Sequence, residues 1–303
     1  METIKKIDIH AHARPLEHIA PVFARNTPLI HVQELIDLYD QLNIEKGVLL
    51  PLVSPEFHIA PVSSSECVGM VEKHPDRFVW FCNIDPRACG NRPDADFIPT
   101  LEYYKSLGAR GVGELTAQLY TDDPYLDNFF AQCAACDMPV TIHIAPQFGG
   151  SYGIVDELGL PRLEKMLKKH PNLKILGHSQ CFWSEISADV NAETRGKYPS
   201  GPVTEGRVAQ LMRNYENLYC DLSAGSGSRA LMRDPEYAAK FIEEFSDRIL
   251  YGCDICLAAN ANFAFEFDAF LTQMRADGMI SDENYYKIVR GNAIKLLKLE
   301  EDK

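Results

Sequence analysis

A chain of 303 residues, 46% hydrophobic and 24% charged, has the composition of an ordinary globular protein, with no run of about 18 apolar residues to cross a membrane. Its formal net charge of −13 argues against a nucleic-acid partner, since affinity for a phosphate backbone rests on Lys and Arg; an anionic substrate must be met by locally placed cations. Nine scattered cysteines, and a start M-E-T-I-K-K-I-D that runs straight into a strand, predict reduced thiols and a cytoplasmic protein without a signal peptide.

The first predicted strand, residues 4–12, contains K-I-D-I-H-A-H. Ile7, Ile9 and Ala11 alternate with Asp8, His10 and His12, so a period of two sets the polar residues on one face, where two imidazoles can grip one metal ion. A long segment, 13–30, follows. Further apolar runs predict strands at 46–53, 78–85, 109–116, 139–145, 173–179, 218–224 and 249–255, with helical stretches between them. Ser63 and Glu66 form a capping box for a helix ending near Pro75; Asp123-Pro124 and Asp234-Pro235 each pair an N-cap with a proline at the first helical position. Ser281 caps the last helix, with Ile288, Ala293, Leu296 and Leu297 as its apolar stripe.

Alternating strands and helices of these lengths predict a parallel sheet buried on both faces, and eight such units favour closure into a (β/α)8 barrel, one α/β domain over residues 1–303. No linker divides the chain, and the long segments 13–30 and 179–202 would lie on the C-terminal face. His74 and His170 at helix C-termini, and His18, His31 and His58, read as structural. So do the pairs Cys133-x-x-Cys136 and Cys253-x-x-Cys256, read as core thiols.

The ends of these strands carry His10, His12, Glu114, His143, His178 and Asp254. In a parallel barrel all strand C-termini share one rim, so residues far apart in sequence can converge on one pocket. Polar groups in apolar runs cost about 1–3 kcal/mol each unless paired, which favours a metal centre over core packing. Histidine and carboxylate ligands suit zinc, with manganese, nickel or iron as alternatives. Near the rim, Arg14 is placed to clamp a substrate carboxylate, and Trp183 with Phe182 to form an aromatic wall; Arg87 and Arg229 are weaker candidates.

From I-D-I-H-A-H to the terminal R-G-N-A-I-K-L-L, with G-V-G-E, V-T-I-H, I-L-G-H and Y-G-C-D between, the chain resembles the amidohydrolase superfamily. The branch is the one holding aminocarboxymuconate semialdehyde decarboxylase, aromatic-acid decarboxylases and lactonases. The resemblance implies His10, His12, His143 and Asp254 as ligands of one divalent ion. It implies His178 as the group orienting water or polarising a carbonyl, and makes a homodimer plausible. Glu114 departs from the decarboxylase pattern and is closer to the bridging glutamate of two-metal members, so a second ion would lie with His143 and His178. The expected activity is hydrolysis of a small amide or lactone, in which Asp254 takes a proton from water activated by the ion and returns it to the leaving group. The rival is decarboxylation of a small unsaturated or aromatic acid, and a third reading is a metal-binding barrel without catalysis.

Overall fold

The computed structural model describes residues 3–15, 29–56 and 61–299. Eight strands form the ring: β1 Lys6–Ala11, β2 Ile44–Leu49, β3 Phe78–Cys82, β4 Ala109–Leu115, β5 Val140–Ala145, β7 Ile175–His178, β8 Leu218–Asp221 and β9 Ile249–Leu250. All neighbours pair in parallel. The ring closes where Ile9 N–H donates to Tyr251 O at 3.0 Å and Asp254 N–H to His10 O at 2.9 Å. The predicted single-domain α/β barrel is therefore the observed fold.

Two details differ from expectation. A short ninth strand, β6 Ile154–Val155, pairs with β5 outside the ring; two residues carry no periodic signal. The final barrel strand stops at Leu250, leaving Tyr251 to Ile255 as largely buried irregular backbone in which Asp254 has φ 49°. The backbones meet closely there: a Cβ on Gly252 would lie 2.7 Å from Ser223 Cβ.

Apolar side chains from β1, β2, β3, β7 and β9, among them Ile9, Val48, Phe81, Leu176 and Leu250, touch one another across the ring and fill its interior. A larger core lies between the sheet and the surrounding helices. Local signals behave as the sequence predicts. Ser63 and Glu66 make the capping box, Asp123, Asp234 and Ser281 cap their helices, and the stripe Ile288, Ala293, Leu296 and Leu297 is buried. All nine cysteines are free thiols. Among the described residues, no helix is long and apolar enough to cross a membrane.

Candidate metal centre

Strand register brings the histidines together. His143 on β5 lies directly opposite His178 on β7, and the next pairing along, Gly177 with Cys220, sets His178 beside Asp221 at the end of β8. On β1 a register shift between Asp8 and Ala11 sets three residues against two on β2, breaking the strict alternation. His10 and His12 meet at their Nε2 atoms, 2.9 Å apart. Asp8 does not join them, because its carboxylate accepts from Tyr39 OH and from the backbone N–H groups of His10 and Cys253.

Glu114 enters from β4. Gly113 before it has φ +139°, and a Cβ there would stand 2.8 Å from Thr141 O, so only glycine lets β4 press this closely on β5. The glutamate's own carbonyl accepts from Asn83 Nδ2, which also ties down Pro51 O. Its carboxylate lies between two histidine pairs. Oε2 is 3.4 Å from His12 Nε2 and 3.8 Å from His10 Nε2, while Oε1 is 2.7 Å from His143 Nδ1 and 3.8 Å from His178 Nε2. Asp254 faces the same point, with Oδ1 3.7 Å from His12 Nε2 and Oδ2 3.7 Å from His178 Nε2.

Hydrogen bonds behind the cluster test whether these residues suit a cation. His12 Nδ1 is 2.9 Å from Leu50 O, and a carbonyl only accepts, so His12 carries its proton on Nδ1 and a lone pair on Nε2. His10 Nδ1 donates to Asp221 Oδ2 at 2.6 Å, so a neutral His10 also points a lone pair inward. Two lone pairs 2.9 Å apart repel unless a positive charge joins them. Burial alone would disfavour an imidazolium, yet Asp221, Asp254 and Glu114 outweigh it and push His10 up to about 10. A divalent ion can take the place of that proton, and the donor set fits one.

Burial and the neighbouring His10 pull His178 down to about 4, leaving it neutral, with Nδ1 3.0 Å from Ser223 Oγ. Although burial opposes it, the contacts of His143 and His12 hold the Glu114 carboxyl well below the usual range. Ligand atoms of His10, Glu114 and His178, and of His10, His12 and Asp254, form two compact groups sharing His10. Relative to the roles implied by resemblance, His178 stands in the cluster itself, whereas His143 reaches it through Glu114.

Of the weaker candidates, Trp183 does not line the cavity at Asp254 but a narrow neighbouring one with Gln180, Tyr198 and Arg229. It is 1% exposed, on a short helix Gln180–Trp183, and its indole N–H donates to Asp221 O at 2.8 Å; Phe182 fills the space over Gly177. The Trp183 ring packs against Phe182 and Phe241, which turns it into the core and away from the rim. Arg14 is partly buried, its Nε donating to Leu29 O, and Arg87 is held by Glu56 and Asp85. Arg229 lies over the rings of Tyr198 and Phe263. His31 caps a helix and His170 pairs with Asp127; His18 and His58 lie outside the described residues.

Sequence reasoning missed Asp221, Ser223 and Tyr152. For Asp221 a signal existed: Y-C-D-L at 219–222 ends its strand in a carboxylate as Y-G-C-D does. Tyr152 lies against His143, ring centroids 4.5 Å apart, in a loop with no strand pattern to place it. Cys256, expected in the core, is only half-buried, and its thiol donates to Asp254 Oδ1 at 3.0 Å. A cavity of about 170 Å³ opens beside the cluster, lined by His143, Tyr152, His178, Tyr198, Asp254 and Phe263 among others.

A family model described as Amidohydrolase matches residues 7–299. The chain belongs to the amidohydrolase family. It is therefore an enzyme of a metal-dependent superfamily, and its cofactor is a divalent metal ion. No curated protein matches it. Among solved structures it resembles 2,6-dihydroxybenzoate decarboxylase from Rhizobium, at 18% identity over 99% of this chain and 100% of that one, TM-score 0.61. It also resembles a dihydroxybenzoic acid decarboxylase from Polaromonas sp. JS666 with bound manganese, at 19% identity over 99% and 98%, TM-score 0.60. A probable 2-pyrone-4,6-dicarboxylic acid hydrolase from Acinetobacter baumannii matches at 14% identity over 97% and 100%, TM-score 0.58. At these identities the likeness concerns the fold.

Proposed function

We propose that this protein is a metal-dependent hydrolase that opens a small amide or lactone. The observation that carries this reading is the position of Asp254 between the histidine cluster and the cavity. Its side chain is 17% exposed, against 3% for Glu114 and 0% for Asp221, so it is the carboxylate of the cluster that substrate and water can reach. Among the described residues lining that cavity none is Lys or Arg, which suits a neutral reacting group better than a carboxylate.

His10, His12, His178, Glu114 and Asp254 would hold the ion, and zinc is the proposed metal. A divalent ion there supplies Lewis-acid polarisation of a carbonyl and acidifies water toward a pKa of about 7. Asp254 accepts the proton of the attacking water and passes it to the departing nitrogen or oxygen. The Cys256 thiol donates to Oδ1 and so holds the carboxylate at the cluster. Tyr152 and Tyr198 shield the cavity from bulk water.

Decarboxylation of an aromatic acid is the second reading, supported by the two neighbours whose names are decarboxylases and by the aromatic lining of Tyr152, Tyr198 and Phe263. Metal-loaded enzyme is screened against amides, lactones and aromatic acids, and turnover of the best substrate is run in ¹⁸O-labelled water. Hydrolysis places solvent oxygen in the product. Unlabelled product with release of CO₂ overturns the first reading in favour of the second.

A further inference from the structure

Arg195 lies in the segment after β7 and is 5% exposed. Its Nη1 donates to Asp156 O at 2.9 Å, while Nε and Nη2 are buried with no hydrogen-bond partner. Among the described residues no carboxylate oxygen lies within ion-pair distance of it. The acids nearby are bonded elsewhere: the Asp156 carboxylate accepts from the backbone of Glu157, Arg162 and Leu163, and Glu185 Oε1 accepts from Gly159 N–H, its charge acting on Arg195 only from beyond ion-pair distance. Neighbouring Arg162 and Arg207 show the contrast, each paired with a carboxylate. In a chain with 43 acidic and 30 basic residues, a buried guanidinium with no carboxylate in direct contact is costly and runs against the composition.

A row of adjoining cavities lies between this cation and the metal centre. Arg195 lines a cavity of about 420 Å³ with Tyr120, Phe148 and Leu158, and with Asp156 and Glu157, whose carboxylates are taken up by backbone N–H groups and by Arg162. Tyr120 and Phe148 meet edge to face at 4.8 Å and are 40% and 46% exposed, an apolar flank open to solvent. This cavity shares Pro146 with one of about 270 Å³ lined by His143, Tyr152, Gln180 and Gly196. The latter shares His143, Tyr152 and Gln180 with the cavity at Asp254. Three adjoining compartments thus form a path from Asp254, past Tyr152, to Arg195 once the walls they share at Pro146 and Tyr152 give way to a ligand.

We propose that Arg195 is an anion-binding residue at the far end of this path, and that the substrate carries a carboxylate remote from its reacting carbonyl, with an apolar body between. This deepens the proposed hydrolysis and rests on that reading for the nature of the reacting end. A neutral group is held at the histidine cluster, where no cation lines the wall, and a charged one at Arg195.

The test reads binding to the metal-loaded enzyme by calorimetry. Linear ω-amido carboxylates from malonamate to suberamate are compared with the amides of equal length that lack the carboxylate, the amide engaging the metal centre. Expected is one chain length at which the amido carboxylate binds about tenfold or more tighter than its simple amide, the gain of a charge-assisted contact. Arg195→Gln loses that gain and leaves the simple amides unchanged, and Arg195→Lys keeps part of it. Phe148→Ala, at an exposed position, weakens the favoured amido carboxylate without altering short simple amides and decides the matter if Arg195→Gln fails to fold. No favoured length in the wild type, an undiminished gain in Arg195→Gln, or no effect of Phe148→Ala each overturns the proposal. Because no turnover is read, an ¹⁸O result against hydrolysis leaves this outcome separately visible.

Discussion

Replacing Asp221 by Asn keeps the shape of the side chain and reverses one hydrogen bond at the back of the metal centre. Oδ1 accepts from Ser223 N–H at 2.9 Å, and Asn can retain that bond. Oδ2 accepts from His10 Nδ1–H at 2.6 Å, fully buried, and there an amide NH₂ would meet a donor. The simplest relief moves the imidazole proton to Nε2, the atom that faces His12 and must offer a lone pair to a metal. Losing such a supporting partner costs about 10–100-fold in metal affinity, or roughly 1.4–2.7 kcal/mol. Competition against a chromophoric chelator near neutral pH measures the affinity, and circular dichroism confirms that the variant is folded. A folded Asp221→Asn protein that binds zinc within about twofold of the wild type refutes the tautomer argument.

Three further outcomes are expected. Glu114→Gln lowers the metal stoichiometry from near two to near one if the carboxylate bridges; an unchanged stoichiometry with raised KM assigns it to substrate instead. Trp183→Phe loses a buried hydrogen bond to Asp221 O, costing about 1 kcal/mol by thermal unfolding, with KM unchanged; a raised KM at unchanged stability returns Trp183 to the pocket. Burial opposes ionisation of Asp85, but its hydrogen bonds with Arg87 prevail and hold it below the ordinary 3.8. Because the folded value lies below the unfolded one, its stabilisation is present above about pH 3.8 and lost as pH falls through the folded value. Asp85→Asn therefore flattens the acid limb of the stability profile, and a limb as steep as the wild type's contradicts that assignment.

How legible the molecule was depends on which force placed each residue. Repeated apolar runs with Ser63, Asp123, Asp234 and Ser281 as helix starts specify alternating units, so eight ring strands and their order could be read directly. His10, His12, Glu114, His143, His178 and Asp254 followed from lying at strand ends, where parallel topology forces convergence. Asp221 carries the same strand-end signal, and only its contact with His10 shows that its carboxylate belongs to the site. What pattern could not supply was tertiary: the bulge that turns Asp8 toward Tyr39, the pull of apolar space on Trp183, and the loop that lays Tyr152 on His143. Arg195 was invisible for a related reason. A buried unpaired arginine and a solvated surface one have the same sequence context, and only packing distinguishes them.

The central claim is that the rim of the barrel holds a metal ion through His10 and His12. Metal content by inductively coupled plasma mass spectrometry, on wild type and on the double variant His10→Ala, His12→Ala, tests it most directly. The arrangement predicts about one to two divalent ions per chain in the wild type and none in the folded double variant, since no other histidine pair among the described residues offers two facing lone pairs. Full metal content in that variant would contradict it.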